Sequence, residues 1–257
     1  MNAAFRGLRS LLFVVAAAAV LASACGEGDG SVRVFAASSL QDVLPKLLGA
    51  YAETDEGARF EVQYGGSQSL ATQIELGADA DLFLSANAAQ IERLEVEDHI
   101  EWQISFVSNC LVIAVDEDSS IATIDGLGAS GVRIALGASD VPVGALTDLA
   151  LAMLDPSLAE AIRANVVTED PNVRVVLSRL ELGEVEAVFV YSTDVAVLED
   201  VRAIEVGGVE PNVYVGGVTS EGGDAAASLL AFLAGHEAVP IWEAAGFEPL
   251  NVAVGAR

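Results

Sequence analysis

Along this chain, short apolar runs end in a small or polar turn, after which apolar residues recur at helical spacing. VRVFAA (32–37) predicts a strand and Leu40 to Tyr51 a helix. FEVQYG (60–65) is followed by a helix from Ser69 to Leu76 that stops at Gly77, and ADLFLSA (80–86) by one from Ala88 to Leu94. SFVSNCLVIAV (105–115) carries the chain onward. VRIALG then leads to helices at 144–154 and 157–164, Asp170-Pro171 makes a break, and a helix covers 173–182. AVFVYS (187–192) runs into a helix start at Thr193-Asp194, and NVYVGGVTS (212–220) precedes a helix over 223–234. A last short helix, 238–244, carries Trp242 ahead of Gly246-Phe247. Apolar runs as short as CLVIAV, bounded by turn residues, read as strands buried on both faces. Alternation with helices predicts an α/β fold of mostly parallel sheets flanked by helices.

Four of the helix starts matter most: Ser38-Ser39, Gly66-Ser67, Pro142-Val143-Gly144 and Pro171-Asn172-Val173. A helix start exposes unpaired N–H groups and the positive end of the helix dipole, which suits an anion. No Lys or Arg stands at the first three turns, so neutral donors predominate, a set suited to a compact oxyanion. Ligands of such sheets bind beyond the carboxyl ends of the strands. The starts form two pairs, 38–67 and 143–173, separated by about 75 residues. That spacing implies two halves facing each other across a cleft. Taken singly, Ser39 and Ser67 read as helix caps and Tyr191 as strand-end packing.

The length of 257 residues, 53% hydrophobic and 19% charged, allows a substantial core in one or two domains. Residues 1–24 stand apart. Arg6 and Arg9 precede LLFVVAAAAVLA, and Ala22-Ser23-Ala24 lead into Cys25, the pattern of a secretory signal too short for a stable membrane span. Cys25 resembles a lipobox cysteine, with Leu21 one position early; a cut after Ala24 by ordinary signal peptidase is the alternative. Residues 25–31 then form a flexible tether, and the protein resides in the periplasm or at the cell surface, with a lipid anchor on a bacterial membrane if Cys25 is acylated. Cys110 has no intramolecular partner once Cys25 is lipidated, and reads as a small buried hydrophobe.

Without Arg6 and Arg9 the mature chain has 10 basic and 38 acidic residues, a net charge of −28. No basic stripe exists for nucleic acid. The acidity does not exclude an anion ligand, because exposed charges are screened beyond ~8 Å at physiological salt whereas helix-end N–H groups act at contact. Asp79 and Asp81 read as a turn and strand entry, not a metal pair. Gly-x-Ser-x-Gly, a P-loop and a zinc-ligand cluster are missing, and His99 and His236 lie away from the four turns. A serine-dependent hydrolase would need a base near Ser39 or Ser67, for which the sequence offers no candidate. The expectation is a binding protein, not an enzyme.

The ordered fragments VFAASSL, GGSQSLATQIELGADADLFLSA, NCLVIAV, RIALGASDVPVG, NVRVVLSRLELGEVEAVFVYSTDV and WEAAGFEPL resemble the periplasmic molybdate-binding proteins of ABC transporters, over about 33 to 250. The resemblance implies a type II periplasmic-binding-protein fold, with 32–110 and 215–250 as one lobe and 111–214 as the other. It implies a monomer that captures molybdate or tungstate and delivers it to a permease and its ATPase. No cofactor is implied, and molybdenum enters only as the bound oxyanion. Carried over residue by residue, the ligand-binding set is Ser39 and Ser67 through hydroxyls, Val143 and Val173 through backbone N–H groups, and Tyr191 through its phenol. Ser38, Val143 and Gln68 replace smaller residues common at those places, and Ser38 leaves open which serine of the first turn bonds the ligand. Sulfate, phosphate or another tetrahedral oxyanion is the alternative ligand.

Overall fold

The computed structural model describes residues 30–250; the expected leader, its cleavage point and Cys25 lie outside the described residues. The first half opens with β1 (Ser31–Ala37), which takes in the last residue of the expected tether, then a 3-10 turn at Ser38–Leu40 and α1 (Leu44–Thr54). Helix α1 begins later than expected, because Pro45 lacks an N–H and is tolerated only in a first turn. β2 (Arg59–Gly65), α2 (Ser67–Glu75), β3 (Leu82–Ser85), α3 (Ala88–Val96) and β4 (Ile100–Asn109) follow.

The second half holds β5 (Leu111–Asp116), β6 (Ile134–Gly137), α4 (Pro142–Ala152), α5 (Pro156–Ala164) and β7 (Val166–Asp170). It continues with α6 (Val173–Glu181), β8 (Ala187–Tyr191), α7 (Ser192–Val195) and β9 (Val201–Glu205). The chain then returns to the first half as β10 (Asn212–Thr219), α8 (Asp224–Leu233), α9 (Val239–Ala244) and β11 (Glu248–Pro249).

Two sheets result, ordered β11-β4-β10-β3-β1-β2 and β7-β6-β8-β5-β9. The chain crosses between them twice, at Cys110 and between β9 and β10. These crossings correct one expectation: the sheets are mixed, not mostly parallel. β1 pairs with β3, and β6 with β7 and β8, in parallel, but β10 runs antiparallel to β3 and β4, and β5 antiparallel to β8 and β9. A strand that carries the chain from one sheet to the other has no helical crossover to reverse it, so it enters against its neighbours. Cys110 is corrected too. It is exposed, because it stands at the crossing itself and only from Leu111 does its apolar run enter a strand.

The alternation of side chains along a strand distributes the cores. In the first sheet Val34, Ala36, Leu82 and Leu84 face α1, α8 and α9 with Leu44, Leu47, Leu230 and Trp242. Their neighbours Phe35 and Phe83 face the opposite side, with Leu70 and Ile74 of α2 and Ile91 of α3. The second sheet buries all of Ala187–Tyr191 and most of β5 in a single core. With both faces covered, the strand ends and the turns beyond them are where each sheet meets solvent or ligand.

Among the described residues no helix is long and apolar enough to cross a membrane, and no cluster of metal-ligating side chains occurs. Asp79 and Asp81 are both engaged by Arg33, at 3.0 and 2.8 Å.

Candidate functional site

All five residues expected to bind the ligand line one small cavity, together with Ala37, Ser38, Gly65, Gly66, Ala86, Val141, Pro142 and Asn172. Each wall is the turn beyond a strand: β1, β2 and β3 from the first sheet, β6, β7 and β8 from the second. No charged side chain is among the lining residues.

The first N–H group of each of these helix starts has no side-chain cap. The 3-10 turn at Ser38, α2 and α4 have no side-chain cap, so the capping role expected for Ser39 and Ser67 taken singly is not what they do. At α6, Asn172 Oδ1 accepts from Arg174 and Val175 N–H, at 3.0 and 3.1 Å. That cap covers the second and third positions and leaves the Val173 N–H, at the first, uncapped. Backbone approach is close at two of these starts. A Cβ on Gly144 would stand 2.0 Å from the Ala138 carbonyl, and one on Gly66 2.4 Å from that of Pro171.

The three hydroxyls share a further property. Ser39 Oγ accepts from the Tyr214 hydroxyl at 2.8 Å, and Ser67 Oγ from the Ala86 N–H at 3.0 Å. The Tyr191 hydroxyl accepts from the Asn212 amide at 3.2 Å, an amide that also donates to the Ala86 carbonyl. A hydroxyl that accepts from a protein donor keeps its own proton free to be donated to a ligand. The site therefore offers donors from both halves. Ser38, also in the lining, accepts at its carbonyl from Arg174 Nε.

Burial keeps these groups neutral. It pushes the Tyr191 phenol well above its ordinary value, with the nearby Tyr214 and Asp194 adding to the rise. An aromatic chain backs it: Tyr191 to Tyr214 at 6.0 Å between ring centres, Tyr214 to Phe247 at 5.6 Å, Phe247 to Trp242 at 5.2 Å. The C-terminal Trp242 and Phe247 thus support the ring that reaches the cavity. Behind Tyr191 lies Asp194, fully buried, whose Oδ2 accepts the Tyr191 N–H at 3.1 Å while Oδ1 stands 3.3 Å from Arg174 Nη2.

Tyr214, Asn212, Ala86 and Asp194 were not identified from sequence. The first three meet the site only through tertiary contact; Tyr214 and Ser39 are 175 residues apart. Asp194 had a local signal, an acid three residues after a helix cap.

A family model described as "Bacterial extracellular solute-binding protein" matches residues 32–248, and the chain belongs to that family. It is 30% identical to the "Putative ABC transporter substrate-binding lipoprotein YvgL" of Bacillus subtilis, over 93% of this chain and 95% of that one. It is 29% identical to the molybdate-binding protein ModA of Mycobacterium tuberculosis, over 65% of this chain and 63% of the relative. Among solved structures, the "substrate binding domain of putative molybdenum ABC transporter from Clostridium difficile" superposes with a TM-score of 0.66. The identity is 28%, covering 86% of this chain and 99% of that one. The fold is that of the type II periplasmic binding proteins, as the sequence led us to expect.

Proposed function

We propose that this protein captures molybdate or tungstate outside the cytoplasm and delivers it to an ABC importer made of a permease and an ATPase. The observation that carries the reading is the cavity with donors from both halves and no charged residue in its lining. In it Ser39, Ser67 and Tyr191 give hydroxyl protons, and Val143 and Val173 give backbone N–H groups. The ligands named for the Mycobacterium and Clostridium proteins support the same choice. Each sheet with its helices is one lobe, and the mature protein acts as a monomer at the cell surface or in the periplasm, anchored through Cys25 if that residue is acylated.

A site made of donors selects a fully deprotonated dianion. Hydrogen phosphate brings a proton that finds no carboxylate among the lining side chains, a mismatch of ~1–3 kcal/mol. Sulfate carries the same charge on shorter bonds, so cavity size must exclude it; tungstate is nearly isosteric with molybdate and binds alongside it. Calorimetric titration of the mature protein with the four oxyanions tests this. Tight binding of molybdate and tungstate with much weaker sulfate and phosphate is expected, and equal affinity for sulfate overturns the ligand assignment.

A further inference from the structure

Two side chains outside the cavity reach from one half to the other, and each follows directly on a residue that lines it. Gln68, next to Ser67, is buried and donates Nε2 to the Pro171 carbonyl at 2.8 Å, 103 residues away. Arg174, next to Val173, donates Nε to the Ser38 carbonyl at 3.3 Å and Nη2 to Asp42 at 2.6 Å. Gln68 is in α2 of the first half, and Pro171 precedes α6 of the second. Arg174 is in α6, and Ser38 and Asp42 belong to the first half. Both bridges therefore exist only while the halves are together, and each grips the turn that forms the opposite wall of the cavity. Arg174 has one further anionic neighbour, Asp194, within its own half. On separation of the halves the guanidinium would keep that partner, so it stays aimed for recapture of Asp42.

We propose that Gln68 and Arg174 form a two-point clasp that holds the halves closed over the ligand, and so set how long the ligand stays. The proposal rests on the cavity being the ligand site. Neither residue lines the cavity, so the clasp acts on the closed state, and through it on release more than on encounter. The Arg174–Asp42 arm joins a partly exposed pair and weakens with salt; the Gln68 arm, between neutral groups, does not.

Release of radiolabelled molybdate from the mature protein, followed after dilution, tests the clasp in Gln68→Ala, Asp42→Asn and the double variant. Asp42 is chosen over Arg174 because removing the guanidinium would leave buried Asp194 uncompensated and endanger folding. Each single variant is expected to release molybdate about three- to tenfold faster, with association changed by less than about twofold. Added salt should accelerate release from the parent and from Gln68→Ala, but not from Asp42→Asn. Release as slow as the parent's in both single variants, or a loss confined to association, overturns the clasp. Solution scattering supplies an arm independent of the ligand: the clasp keeps a fraction of the empty parent closed, so the double variant should have a larger radius than the parent in the absence of molybdate. If the parent binds no molybdate the ligand reading falls, and an equal radius for parent and double variant then overturns the clasp as well.

Discussion

A hydroxyl donates once and accepts at two lone pairs, and the groups behind Ser39, Ser67 and Tyr191 each fill one lone pair and leave the proton free for a ligand. Tyr191→Phe keeps the packing against Tyr214 and removes one donor to a dianion. A hydrogen bond to a charged partner contributes ~1.5–3 kcal/mol, so molybdate affinity should fall roughly ten- to hundredfold by calorimetry. Ser67→Ala should lose a comparable amount, and Val143→Ala little, since its N–H remains. Full affinity in Tyr191→Phe alongside a loss in Val143→Ala would show the residue assignment to be wrong. Asp194 makes a separate prediction. Burial pushes its carboxyl up to about 6, against the pull of the Arg174 guanidinium and the Tyr191 N–H, with Asp42 adding to the rise. The folded pKa exceeds the unfolded one of about 3.9. The stability this group contributes is therefore complete below the unfolded value and lost as pH rises through 6. Urea unfolding of parent and Asp194→Asn at pH 4 and pH 7 should show the parent losing ground relative to the variant at the higher pH; a difference independent of pH would refute it.

At the scale of elements, two glycines at helix starts have different jobs. The carbonyl facing Gly144 belongs to Ala138 of the same half, so Gly144→Ala overpacks a fixed backbone contact. It should destabilise the empty protein by about 1–3 kcal/mol in thermal or urea unfolding. The carbonyl facing Gly66 belongs to Pro171 of the other half. Gly66→Ala should therefore weaken molybdate binding while leaving unfolding of the empty protein nearly unchanged; the reverse pattern would place the contact within a single half. Elements differ in how legible they are. The interior strands β6 and β8 announce themselves as continuous apolar runs. The edge strands β7 and β9 went unread, because VVTED and VRAIE carry charges on exposed positions and so look like loops. Pattern alone does not divide 105–115 at Cys110, because no Gly or Pro interrupts the run; only the resemblance supplied a boundary there, and β4 and β5 belong to different sheets.

For the molecule as a whole, donors from both halves mean that the ligand interacts differently with the open and closed arrangements and must favour the closed one. Solution scattering should record a smaller radius with molybdate than without it. An unchanged profile with binding confirmed by calorimetry would rule out closure.

The sequence alone determined the alternation of strand and helix, the four helix starts and, through the resemblance of their ordered fragments, the candidate residues. Each of these is written in local order: an apolar run, a turn residue, a cap, a period of side chains. Tertiary structure decided that the five candidates line one cavity, that the sheets are mixed because the chain crosses between them, and that Cys110 lies exposed at a crossing. It also decided which protein donor each hydroxyl accepts from, so that its own proton is free for a ligand. Tyr214 lies 175 residues from Ser39 and Asn212 lies 21 from Tyr191, to which they donate, and Gln68 and Arg174 find partners more than a hundred residues away. Hydrogen bonds of that reach leave no period or spacing in the sequence, because the chain's return through β10 and the packing of the two sheets bring their partners together.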